Sequence, residues 1–165
     1  MNDEIKKLIK NIKLAVFDFD GVFTDNHVYT NDRGEEMVRC LRSDAAGVRR
    51  LREAGVQAFI LSSEVNPVVS HRAQKMQIEC LQGVAEKLEV LRIEARRHGA
   101  TLAETAFIGN DINDADCMKA VGLPVIVADA WPEVRALAKW ELERRGGDGA
   151  VREFCDTVWQ IKKGG

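Results

Sequence analysis

The sequence lacks the features that mark several large protein classes. No apolar stretch approaches the length of a membrane span, so no transmembrane helix is predicted. The four cysteines, Cys40, Cys80, Cys117 and Cys155, stand far apart and form no C-x-x-C pair. That argues against a disulfide framework or a zinc site and for reduced thiols. Neither sign of charge dominates: 24 basic and 26 acidic residues leave a formal charge of -2. Nothing in that balance points to nucleic acid or a membrane surface as partner. Residues 1–13 are charged and amphipathic and lack the apolar centre of a signal peptide. A cytoplasmic location is the expectation. There is no internal repeat and no low-complexity linker. His27, His71 and His98 share no metal-ligand spacing, although His27 is placed to line a pocket from the base of a hairpin.

What is present is alternation. Residues 1–165 fit one domain, long enough to bury a core without disulfides or metals. Short apolar runs occur at 14–17 (LAVF), 56–61 (VQAFIL), 105–108 (TAFI) and 123–128 (LPVIVA). Runs of this length between polar turns read as strands buried on both faces. Helical patterns lie between them. Ser43 is placed to cap a helix carrying Ala45, Val48, Leu51 and Ala54 on one face, with Gly55 ending it. Pro67 suits the first turn of a helix reaching Met76. Further helices are expected over 85–98 and 113–121, each followed by glycine, and Ile5, Leu8, Ile9 and Ile12 have helical spacing near the start. Asn31-Asp32-Arg33-Gly34 between Val28-Tyr29 and Met37-Val38 predicts an inserted β-hairpin. The class is α/β, with a mainly parallel sheet whose reactive groups gather at the carboxyl ends of strands. Trp131, Trp140 and Trp159 are expected in the core or at a subunit interface.

The chemistry concentrates in Asp18-Phe19-Asp20-Gly21-Val22-Phe23-Thr24-Asp25, directly after the first apolar run. Two carboxylates at one strand end repel unless a cation lies near them. Oxygen-rich sites of this kind suit magnesium, and Gly21 lets the backbone turn close to a ligand. Ser62 follows the second strand, Lys87 opens a helix, and Gly109-Asn110-Asp111-Ile112-Asn113-Asp114 follows the third strand. Singly, these residues read as a cap, a surface lysine and a second cap. Together and in this order they form a pattern.

That pattern resembles the haloacid dehalogenase-like phosphatases over nearly the whole chain. The resemblance implies a Rossmann-like, doubly wound sheet with a small hairpin insertion and no cap domain. It implies that Asp18 is the nucleophile and Asp20 the acid and base, with Ser62 and Lys87 binding the transferred phosphoryl group. It implies Mg2+ held by Asp18, Asp20, Asn110 and Asp111. Asn110 departs from the family, which usually has aspartate there; the amide oxygen still coordinates but carries no charge, so weaker magnesium binding is expected. The ligand nearest the ion is left open between Asn110 and Asp111, with Asp114 behind them.

Within the family the chain is similar to the capless phosphatases of eight- and nine-carbon 2-keto-3-deoxy sugar acids. The shared stretches are Asp20 to Asp25, Ser43-Asp44-Ala45-Ala46-Gly47, and Gly146-Gly147-Asp148-Gly149-Ala150-Val151-Arg152-Glu153. The resemblance implies a homotetramer in which hairpins and C-terminal tails of neighbours cover each site. Glu64, Arg72 and Lys75 are expected to bind substrate, with the two cations on one helix face holding a carboxylate. Glu64 with Lys75 resembles the nine-carbon group, so a nonulosonate 9-phosphate is favoured over 3-deoxy-D-manno-octulosonate 8-phosphate. Two rivals remain. One is an assembly domain like that of acylneuraminate cytidylyltransferases, which loses part of the acid motif. The other is a receiver domain, opposed by Ser62 where such a domain carries its acceptor aspartate.

Overall fold

A computed structural model describes residues 1–164. The chain runs α1 (Asp3–Asn11), β1 (Leu14–Phe17), β2 (Thr24–Thr30), β3 (Glu36–Cys40), α2 (Asp44–Glu53), β4 (Gln57–Leu61), α3 (Val68–Met76), β5 (Glu79–Leu81) and α4 (Lys87–Arg97). It continues through β6 (Thr105–Gly109), α5 (Ala115–Ala120), β7 (Leu123–Ile126), α6 (Pro132–Arg135), β8 (Trp140–Glu141) and α7 (Ala150–Lys163). Six strands form one sheet in the order β5-β4-β1-β6-β7-β8, every neighbouring pair parallel. The hairpin β2–β3 is a separate antiparallel pair.

The apolar runs became strands because the sheet is covered on both faces. All four residues of β1 are buried, as are those of β6 and β7. Helices α1, α2 and α7 pack together as one group, and α4 packs on α5 as another. Phe17 meets Phe154 edge-on at 5.6 Å, and Trp140 lies 5.5 Å from the same ring. Each fully buried phenylalanine contributes roughly 1.5–3 kcal/mol. At the start, Asn2 caps α1 by accepting from the Ile5 amide at 2.9 Å, and Ile5 and Ile9 turn inward. Among the described residues no helix is long and apolar enough to cross a membrane.

The sheet order places the site. From β1 the chain moves outward through β4 to β5, then returns to β6 and moves the other way through β7 and β8. Connections diverge at adjacent β1 and β6, and a crevice opens beyond their carboxyl ends. Asp18 and Asn110 stand at those two ends.

Several local expectations change. Ser43 adopts helical angles (φ -66, ψ -16) and makes no side-chain cap. The hairpin begins at Thr24 rather than Val28, because the ladder restarts after an irregularity between them. The fourth helix of the sequence reading begins with a separate 3-10 turn at Ile112–Asp114. The short edge strand β8 had no sequence expectation, and no helix was expected where α7 runs. Residues 146–153 are not a free tail: they run against the chain's own body and into α7, which buries Ala150, Val151, Phe154, Cys155 and Val158.

Candidate active site

The position of Asp18 is set by the sheet itself. The Asp18 amide donates to the Ile108 carbonyl at 2.9 Å, extending the β1–β6 pairing by one residue. Asp18 Oδ1 accepts from the Phe19 amide at 2.7 Å. Buried Phe19, Val22 and Phe23 anchor the loop that follows. Its turn closes on Thr24, whose Oγ1 accepts from the Gly21 amide at 3.1 Å and the Asn26 amide at 3.2 Å.

Three charged groups are buried together. Lys87 Nζ lies 2.9 Å from Asp18 Oδ1 and 2.8 Å from Asp114 Oδ1. Asp114 Oδ2 accepts from the Asn110 amide at 2.9 Å, so one carboxylate both aims the lysine and holds the loop after β6. Asp18 is pushed up to about 8, first by burial and then by Asp114, against the pull of Lys87. Burial pulls Lys87 down, but the two carboxylates outweigh it and its net shift is upward. Asp20 is also raised, by burial and then by Glu64, with Lys87 opposing.

A cavity of about 230 Å³ is lined by Asp18, Asp20, Asn26, Ser63, Asn110, Asp111, Ile112 and Asn113. Three carboxylates and three amides face it, and its lining contains no lysine, arginine or histidine. That donor set fits a hard cation with oxygen ligands. The approach is close on the loop side as well: a Cβ on Gly21 would lie 2.0 Å from Asn110 Nδ2. Asn110 is buried against that turn, while Asp111 Oδ1 accepts from the Ile112 amide at 2.6 Å.

The other expected residues divide. Ser62 is buried, its Oγ accepting from the Glu64 amide at 3.1 Å, and it does not line the cavity; Ser63 does. Glu64 Oε1 accepts from the amides of Val65 and Asn66, both at 2.7 Å. Arg72 and Lys75 share a different cavity of about 380 Å³ with Val38, Cys40, Arg42, Val68 and His71. There Arg72 Nη2 donates to the Leu41 carbonyl at 2.7 Å, tying α3 to the end of the hairpin. His27 does not line the site; it is exposed, its Nδ1 2.8 Å from the Asp25 carbonyl oxygen. Asn26 and Asn113 were missed. The signal for Ser63 is its place directly after the strand-end hydroxyl; Asn26, at φ 63, has none.

Known proteins resemble the chain in sequence and in fold. A family model for haloacid dehalogenase-like hydrolases matches residues 57–154. The 3-deoxy-D-manno-octulosonate 8-phosphate phosphatase of Yersinia pestis is 32% identical over 157 residues, covering 94% of this chain and 84% of that protein. The crystal structure of the corresponding Moraxella catarrhalis phosphatase, in complex with magnesium, phosphate and KDO, superposes with a TM-score of 0.94. It is 28% identical and covers 99% of this chain and 94% of that one. A cobalt-bound Haemophilus influenzae phosphatase superposes at 0.89 with 30% identity, covering 94% of this chain and 92% of that one.

Proposed function

The chain belongs to the haloacid dehalogenase-like hydrolases, and from that premise we propose that it is a magnesium-dependent phosphatase of 2-keto-3-deoxy sugar acids, with 3-deoxy-D-manno-octulosonate 8-phosphate as its substrate. The observation that carries the reading is Asp18 held by buried Lys87 and Asp114 at the mouth of an acid-lined cavity. The eight-carbon ester comes first because similar phosphatases bear its name; the sequence reading favoured the nine-carbon ester.

The residues divide the work in two steps. An Asp18 oxygen attacks phosphorus, the bond from phosphorus to the sugar oxygen breaks, and Asp20 gives that oxygen its proton. Burial and Glu64 raise Asp20, the direction that suits a proton donor. Asp20 then takes a proton from water, whose oxygen attacks the aspartyl-phosphate, releasing phosphate and restoring Asp18. Lys87 offsets charge on the phosphoryl oxygens, and the Ser62 hydroxyl and the Ser63 backbone would hold them. Asp18, Asp20 through its backbone carbonyl, Asn110 and Asp111 would hold magnesium, which when bound neutralises charge on the phosphoryl group. Residues 1–165 act as a single catalytic domain in this reading.

The Asn110 departure has a measurable consequence. Asn110→Asp adds a full charge to the donor set, and magnesium affinity measured by calorimetry should tighten on the order of tenfold. An unchanged affinity would mean that Asn110 is not a ligand.

A nonulosonate 9-phosphate is the second reading. Glu64 lies near enough to Asp20 to raise it, and Arg72 and Lys75 share a cavity with no acid in its lining, as a substrate carboxylate requires. We also propose a homotetramer in the cytoplasm. Val28, Tyr29 and Met37 are large apolar residues at least half exposed on the hairpin, and burying them against a neighbour explains their presence. Residues 146–163 pack on their own chain, so the hairpin is the part of the expected intersubunit cover with exposed apolar surface to offer.

The deciding assay is phosphate release with magnesium from the eight-carbon 8-phosphate and a nonulosonate 9-phosphate in parallel. Faster turnover of the eight-carbon ester is expected. Faster turnover of the nine-carbon ester selects the second reading, and hydrolysis of neither turns the assignment toward an assembly domain.

A further inference from the structure

The loop carrying Asp20 is held from two sides. On one side the Asn110 amide group lies against Gly21. On the other lies the segment 143–149, between β8 and α7. A Cβ on Gly146 would stand 1.9 Å from the Gly21 carbonyl oxygen, and one on Gly147 2.4 Å from the Asp25 nitrogen. Gly147 also has φ +65, and its amide donates to the Val22 carbonyl at 3.1 Å. Backbone therefore packs on backbone here, with no room for any side chain.

That segment is registered to the end of β7. The Ala128 amide donates to the Arg144 carbonyl at 3.1 Å, and the Gly146 amide donates to Asp129 Oδ1 at 2.9 Å. Glu153, in the first turn of α7, accepts from the amides of Glu143 and Arg144, both at 2.9 Å. Two residues past Asp129, the Trp131 amide donates to the Asn110 carbonyl at 2.9 Å. The turn 128–131 thus grips both partners of Gly21: Asn110 through Trp131, and Gly146 through Asp129. Arg39 adds a link from the hairpin, 3.2 Å from Asp25 and 3.7 Å from Asp148.

We propose that residues 143–149 form a strap that positions the Asp20 loop against Asn110, with Asp129 as its anchoring residue. The proposal deepens the phosphatase reading and rests on it for its kinetic consequence. Asp129 is exposed and does not line the catalytic cavity, so it is a positioning residue. If the strap lifts, Gly21 moves, and Asp20 moves with it away from the leaving oxygen. Small displacements of this kind cost turnover more than binding.

The test compares the parent with Asp129→Leu, Asp129→Asn and Gly146→Ala, using 4-nitrophenyl phosphate as substrate and amide hydrogen exchange as a readout independent of turnover. In Asp129→Leu, exchange should quicken over residues 21–25 and 146–147 and stay unchanged in β1 and β6. Its kcat should fall about tenfold with KM within about twofold. Asp129→Asn keeps an acceptor oxygen and should restore both. Gly146→Ala should lose about a hundredfold in kcat; should it fail to fold, the Asp129 pair decides alone. Unchanged exchange over 21–25 in Asp129→Leu overturns the strap, as does parental kcat in an active background or failure of the asparagine to rescue. If the parent itself hydrolyses nothing, the phosphatase reading is what has failed, and exchange alone decides the strap.

Discussion

Asp18→Asn is expected to abolish phosphate release, by on the order of 10⁴-fold or more, while leaving the fold at least as stable as the parent. The kinetic half follows from the loss of the attacking oxygen, which no neighbouring group replaces. The stability half follows from a charge count. Asp18, Lys87 and Asp114 are all buried, two acids around one base. Removing the Asp18 charge leaves a neutral Lys87–Asp114 pair at 2.8 Å and removes the burial cost and the Asp114 repulsion that together hold Asp18 up to about 8. An acid whose folded value is raised stabilises the fold fully below its unfolded value and loses that contribution as pH rises through the folded one. In chelator, the parent should therefore lose stability from about pH 4 to about pH 8 through this group, with a slope of up to about 1.4 kcal/mol per pH unit. The variant should lack that slope. Denaturant unfolding across that range, beside the phosphate assay, checks both halves. A variant much less stable than the parent above about pH 8, where Asp18 is ionised, would refute the charge count.

Lys87→Met carries the opposite signature: it should damage activity and fold together. Methionine fills the volume of the stem but leaves Asp18 and Asp114 buried with no cation between them. Breaking a buried ion network from one side costs about 3–5 kcal/mol. The Asp114 carboxylate also holds the Asn110 amide, so disturbance there spreads to the loop after β6. Turnover should fall roughly 10²–10³-fold, the usual effect of removing one preorganised group that faces transition-state charge. Asp18 loses its counter-ion, its folded value rises further, and the variant should recover stability as pH is lowered. A double variant, Lys87→Met with Asp18→Asn, should regain part of the lost stability and none of the activity. If Lys87→Met unfolds no more easily than the parent, the lysine is not the counter-ion of the buried acids.

Much of this architecture is legible one segment at a time. The run LAVF had to be buried on both faces, and the acids that follow it had to lie at its end, because a strand cannot carry carboxylates into a two-sided core. The same holds for TAFI and Gly109-Asn110-Asp111. Local patterns of this kind determined the α/β class, the strand ends that bear the acids, and the acid motif itself. They also determined the place of the hairpin, to within a few residues.

What they left open depends on which segments meet. Helix α7 was read as a tail because its glycine-rich start resembles a flexible segment, yet the spacing of Val151, Phe154, Cys155 and Val158 marks a buried face. Only the packing of α7 on α1 and α2 shows what that face covers. Arg72 and Lys75 do share a helix face, but the fold turns it toward Cys40 and Arg42 and away from the lining around Asp18. Taken singly Lys87 reads as a surface lysine and only its place in the motif order marks it; α4 buries it between Asp18 and Asp114. Gly146 and Gly147 gain their meaning only where they touch Gly21 and Asp25. The sequence by itself determined which residues have the chemistry for phosphoryl transfer and that they end on strands, since burial periodicity and turn chemistry are local. The tertiary structure alone decided which of them meet, since the order β5-β4-β1-β6-β7-β8 joins segments far apart in the chain, and no local pattern encodes that order.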